Sequence, residues 1–197
     1  MPTAGCDPIG IVEAIRASRL AKAGLSGSYA FADCGLGRRV LALALSGRGA
    51  YLWGEPGRGK TYAAACAVRL HAGRSLSGPV SARIVGVPAL LDALRSGYDT
   101  RGTMRPDVMG AVVRVPLLAL DDLGAEHPTP WSMEVLTRLV DTRVAAGLPT
   151  VVTSNYSVGE IRDLWGGMAG KRIASRLAGA CERIEVGGPD RRLGDVH

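Results

Sequence analysis

Lysine is scarce in this chain: only Lys22, Lys60 and Lys171 occur among 197 residues, and the rest of its 24 basic side chains are arginine. There is a single phenylalanine, so an apolar core has to be built mainly from Leu, Val, Ile and Ala. No apolar run reaches the roughly 18 residues needed to cross a bilayer. Met1 to Gly10 shows no basic start followed by an apolar stretch, so neither a membrane span nor a secretion signal is expected and the expected location is cytoplasmic. Cys6, Cys34, Cys66 and Cys181 form no C-x-x-C pair and have no nearby histidine. That excludes a zinc knuckle and leaves free thiols of a reducing compartment. An Asn-Lys-x-Asp guanine-reading motif is also missing, which disfavours a GTPase, and nothing resembles the arginine-rich substrate lid of a small-molecule kinase.

What is present starts with the second of the three lysines. Gly54-Glu55-Pro56-Gly57-Arg58-Gly59-Lys60-Thr61 fits G-x-x-x-x-G-K-[ST], between a strand-like apolar run, Ala50 to Trp53, and an alanine-rich helical run. The glycines let successive backbone N–H groups and the following helix N-terminus point at a phosphate. Lys60 then reaches the terminal phosphates and Thr61 can hold Mg²⁺. In so lysine-poor a chain, a lysine at the required place argues against an accidental glycine-rich match. ATP with Mg²⁺ is the expected ligand, contacted by Gly54, Glu55, Pro56, Gly57, Arg58, Gly59, Lys60, Thr61 and the next residue, Tyr62.

The length suits one domain of about 100 to 200 residues. Net charge is +6 with a pI near 9.5. That balance permits contacts to a nucleic-acid backbone without showing where the charge clusters. Periodicity predicts an amphipathic helix over Pro8 to Ala23, a Gly/Ser-rich connector over Gly24 to Gly37 and a short helix from Leu36 to Leu45. Strands are predicted at Ala50–Trp53, Ala82–Val87, Leu117–Leu120, Thr150–Thr153 and Arg183–Val186. Helices alternate with them, at Gly59–His71, Pro88–Arg95, Asp107–Val113, Trp131–Ala146, Val158–Leu164 and Met168–Leu177. Alternation with uniformly apolar strands implies an α/β fold in which a parallel five-stranded sheet is covered on both faces.

Hydrolysis needs a carboxylate opposite the phosphate loop. Leu117-Leu118-Ala119-Leu120-Asp121-Asp122 delivers one at a strand's C-terminal end, where ligands bind in such sheets. Asp121 is expected to contact the metal and Asp122 to orient or deprotonate the attacking water, with Glu126 as a possible assistant. The strand Thr150-Val151-Val152-Thr153-Ser154 ends at Asn155. Its amide suits a γ-phosphate oxygen and the lytic water, and it equally suits capping the helix that starts near Ser157.

In this order the motifs resemble the DnaC/IstB-like branch of the AAA+ ATPases. The resemblance is carried by Tyr51 to Thr61, by Leu120-Asp121-Asp122-Leu123-Gly124-Ala125-Glu126, by Ala146 to Asn155 and by Arg172-Ile173-Ala174-Ser175-Arg176-Leu177, and it covers about Gly47 to Arg192. It implies an AAA+ P-loop core over 47–197 with a short or absent C-terminal lid, after a short helical extension over 1–46. It further implies a homo-oligomer with ATP at subunit boundaries and an arginine finger at Arg176, with Arg172 as the alternative. Expected partners are a replicative helicase or, in a transposition helper, a transposase, together with single-stranded DNA. Many AAA+ proteins carry Glu where this chain has Asp122, which points to slow hydrolysis or to a non-hydrolysing assembly switch. Arg191 or Arg192 is a weak candidate nucleotide sensor, and Arg95, Arg101 and Arg105 surround a polar loop that could face a DNA channel.

Overall fold

The computed structural model describes residues 8–96 and 106–190. In chain order the elements are α1 (Pro8–Lys22), α2 (Gly35–Leu45), β1 (Gly49–Trp53), α3 (Lys60–Ala72), β2 (Ala82–Gly86), α4 (Val87–Ser96), α5 (Pro106–Val113), β3 (Leu117–Leu123), α6 (Pro130–Ala145), β4 (Thr150–Ser154), α7 (Val158–Trp165), α8 (Gly167–Ala180) and β5 (Cys181–Glu185). A 3-10 turn, Gly27–Phe31, joins α1 to α2. No helix among the described residues is long and apolar enough to cross a membrane.

The five strands form one sheet in the order β2-β3-β4-β1-β5, all parallel. Side chains alternate across a strand, so a sheet buried on both faces needs apolar residues at every position. β3 shows this directly: Leu118 and Leu120 join one core with Leu136, Leu139, Ile161 and Ile173, while Leu117 and Ala119 join the other with Ala64, Ala67 and Val68. The second core is rich in alanine because α2, which packs on β1, and α3, which packs on β2, β3 and β4, lie close together, and small side chains permit that approach.

Several predicted boundaries shift. β3 runs on past Leu120 to Leu123 through a register irregularity between Leu120 and Leu123, with Asp122 at φ +57°. β5 starts at Cys181, two residues before the predicted Arg183, because its pairing with β1 already begins at Gly49. The residues ahead of β1 share the second core: Ala23, Leu25, Ala32, Val40 and Ala44 are all buried in it. The end of α1 is tied to the sheet by the Ile84 N–H, which donates to the Ala23 carbonyl at 2.8 Å.

Candidate functional site

In a parallel sheet every C-terminal strand end lies on one edge, so β1, β3 and β4, which are neighbours, bring the ends of three motifs together. The loop between β1 and α3 turns sharply, and Gly59 closes it at φ +88°, a left-handed conformation that favours glycine. From there α3 starts at Lys60 and its N-terminus faces the loop. Lys60 is 6% exposed. Its ammonium donates to the carbonyls of Gly54 and Glu55, each at 2.7 Å, and to Oδ1 of Asn155 at 2.9 Å. The loop lysine and the amide at the end of β4 are therefore in direct contact, although 95 residues apart in sequence. Arg58 is folded across the loop, bonded to the Glu55 carboxylate and the Gly188 carbonyl.

The helix cap after β4 belongs to Ser157 and not to Asn155. The Ser157 hydroxyl accepts from the Glu160 N–H at 3.2 Å, and the Glu160 carboxylate accepts from the Ser157 N–H at 2.7 Å. Asn155 is thereby left to Lys60.

On β3 the two carboxylates are held by a residue not singled out from sequence, Thr153. Its hydroxyl donates to Oδ1 of Asp121 at 2.6 Å and accepts from the Asp122 N–H at 3.0 Å. Burial is the main force raising the Asp121 carboxyl above its ordinary pKa, opposed first by the Thr153 hydroxyl and more weakly by that of Thr61. Asp122 is exposed, and its left-handed backbone suits a short Asp side chain better than most. Glu126 is used differently: one carboxylate oxygen accepts from the Gly124 N–H at 3.0 Å, and the other is buried without a hydrogen-bond partner. Burial pushes this carboxyl up as well. It braces the turn after β3 and is absent from the lining of the cleft described next.

These groups open into a cleft of about 790 Å³ lined by Gly57, Lys60, Thr61, Tyr62, Asp122 and Asn155 and, as a second wall, by Tyr29, Asp33 and Cys34. The second wall comes from the segment before α2. There the Asp33 N–H donates to the Tyr62 hydroxyl at 3.2 Å, and the rings of Tyr29 and Tyr62 lie 6.5 Å apart. A larger groove of about 1180 Å³ runs between α6 and α8, past Met133, Trp165 and Met168. It has no phosphate-cradling loop, so the smaller cleft is the chemical candidate.

No cluster of three His, Cys, Asp or Glu side chains that could hold a metal occurs among the described residues. The facing hydroxyl of Thr61 and carboxyl of Asp121 fit Mg²⁺ instead, which takes few protein ligands and completes its shell with water and phosphate oxygens. Arg172 and Arg176 lie away from the cleft of their own chain. Both pair with Asp141 of α6, at 2.5 Å and 3.0 Å. Arg95 lies over the Trp131 ring, 5.0 Å from its centroid. Arg101, Arg105, Arg191 and Arg192 lie outside the described residues.

No protein-family model matches the chain. It is 33% identical over 117 residues to the replicative helicase loader DnaI of Bacillus subtilis, covering 59% of this chain and 36% of that protein. It is 25% identical over 126 residues to the replicative helicase loader DnaC of Escherichia coli, covering 63% and 47%. The chain therefore spans less than half the length of these curated relatives. Among solved structures, a crystal structure of DnaI superposes with a TM-score of 0.64 at 30% identity, covering 80% of this chain and 81% of that one.

Proposed function

Because the chain belongs to the DnaC-like AAA+ proteins, we propose that it is an ATP-binding and ATP-hydrolysing helicase loader that acts on a replicative helicase and on single-stranded DNA. The observation that carries this reading is the meeting of Lys60 with Asn155, beside Thr61 and the Thr153-braced Asp121 and Asp122, in one cleft.

In the proposed mechanism the loop N–H groups and Lys60 bind the phosphates, and Thr61 and Asp121 would hold Mg²⁺, which when bound would supply positive charge to the phosphates. The Tyr29 and Tyr62 rings offer an apolar wall to the base. Asp122 faces the cleft and orients the attacking water. A γ-phosphate competes with Asn155 for the Lys60 ammonium, so the state of the nucleotide reaches the end of β4 through a single hydrogen bond. Arg176 acts on a neighbouring subunit: release from Asp141 would free its guanidinium for the neighbour's γ-phosphate. The short Asp122 carboxylate makes basal turnover slow, and DNA or helicase raises it. A replicative helicase and DNA as partners fit a cytoplasmic location.

The test is reconstitution. Purified protein is mixed with a replicative helicase and single-stranded DNA, and helicase retention on DNA is followed with ATP and with a non-hydrolysable analogue. The reading predicts ATP-dependent retention that Lys60→Ala abolishes. Equal retention by the variant would overturn it.

A further inference from the structure

Two cysteines that the proposed mechanism does not use meet at the wall of the cleft. Cys34 is half-buried and lines the cleft, whereas Cys66 is fully buried on α3, six residues after Lys60. The Cys66 sulfur is 3.4 Å from the Cys34 backbone nitrogen and 3.8 Å from its carbonyl oxygen. The Cys34 sulfur caps α2, accepting from the Gly37 N–H at 3.3 Å. Residue 37 is glycine at the point where a Cβ would run into the Cys66 side chain, so the first turn of α2, capped by the Cys34 sulfur, packs directly on Cys66. The charged groups around them are Asp33, whose carboxylate is 4.0 Å from the Cys66 sulfur, and Arg38 and Arg69, which pair with Asp33.

We infer that Cys34 and Cys66 form a reversible intramolecular disulfide under peroxide, and that this bond closes the cleft to nucleotide. The more accessible Cys34 sulfur attacks the peroxide oxygen. The O–O bond breaks, water leaves and Cys34 becomes a sulfenic acid. The Cys66 thiol then attacks that sulfur, the S–O bond breaks and a second water departs. The two thiols supply the two electrons that reduce the peroxide, and a dithiol reductant returns them.

The structural consequence follows from what Cys34 holds. Turning its sulfur toward Cys66 removes the cap of α2 and draws the 33–34 backbone toward α3. The contact between the Asp33 N–H and the Tyr62 hydroxyl lies one residue away, so the wall carrying Tyr29 shifts with it. A nucleotide seated in the cleft would in turn shield Cys34.

The experiment treats the full chain with hydrogen peroxide, maps its disulfides by peptide mass spectrometry, and measures binding of a fluorescent ATP analogue before oxidation, after it and after dithiothreitol. The expected result is a Cys34–Cys66 crosslinked peptide, formed more slowly with excess ATP, and a roughly tenfold or larger loss of affinity that the dithiol reverses. Cys66→Ala should bind as the reduced protein does and show no reversible loss. Pairing of Cys34 with Cys6, Cys181 or another molecule would overturn the inference, as would a Cys34–Cys66 bond that leaves affinity unchanged. The nucleotide arm rests on the proposed ATP site. If the reduced protein bound no nucleotide, that reading would fail and the switch with it, while disulfide mapping would still decide whether the thiols pair.

Discussion

Burial drives the Asp121 carboxyl above its ordinary pKa, and the Thr153 and Thr61 hydroxyls draw it part of the way back. A folded-state pKa above the unfolded value means that this group's contribution to stability is fully present below the unfolded pKa and is lost as pH rises through the folded one. Ionised Asp121 therefore weakens the nucleotide-free fold at neutral pH. Asp121→Asn should raise its melting temperature by a few degrees and abolish Mg²⁺-dependent turnover, as followed by calorimetry and phosphate release. Thr153→Val removes a hydrogen bond that favours the charged form. It should move the acid limb of the pH–rate profile to higher pH and cut turnover about tenfold or more, with ATP binding retained and stability lowered by about 1–3 kcal/mol. The convergence of Lys60, Asp121, Asp122 and Asn155 was legible in the sequence, because a phosphate loop and the ends of neighbouring parallel strands fall on one edge of the sheet. Thr153 was not, because its role depends on the register that sets β4 beside β3. The choice between two roles for Asn155 likewise needed the structure, which shows Ser157 occupying the cap.

At the scale of elements, one side chain ties several together. Arg143 on α6 is completely buried, and its guanidinium donates to the carbonyls of Val112, Val113, Val115 and Pro149 and to the Thr150 hydroxyl. It joins the end of α5, the approach to β3 and the start of β4, and burial pulls its pKa down to about 10. Arg143→Met keeps much of the packing but leaves those acceptors unpaired, so unfolding by urea should show a loss of about 3 kcal/mol or more. Because the links lie at the N-terminal ends of β3 and β4, ATP affinity of the folded fraction should be preserved. A buried arginine that binds mainly carbonyls cannot be found from helical periodicity, which marks its position only as core-facing. The helices themselves were legible because their apolar faces repeat regularly and proline opens α6. The extension of β3 to Leu123 was not, since Asp121 and Asp122 read as the end of an apolar run, whereas the Thr153 contact holds them in the strand.

Across the whole molecule, the sheet order places β1 between β4 and β5, so phosphate loop, carboxylates and amide share one edge despite their separation along the chain. Alternating strands and helices announced this architecture. The wall opposite the phosphates was less visible, because Gly24 to Gly37 reads as a connector, and only packing against α3 brings Tyr29 and Cys34 to the cleft. The central claim is a shared ATPase site within an oligomer, and steady-state ATP hydrolysis tests it most directly. Wild type, Lys60→Ala and Arg176→Ala would be assayed with and without single-stranded DNA, with oligomer size followed by light scattering. The account predicts DNA-stimulated turnover in the wild type and none in either variant alone. It also predicts partial recovery when the two variants are mixed, because an intact Arg176 can then reach an intact Lys60 site. Undiminished turnover in Lys60→Ala, or tight ATP binding without turnover by the wild type under any condition, would contradict it.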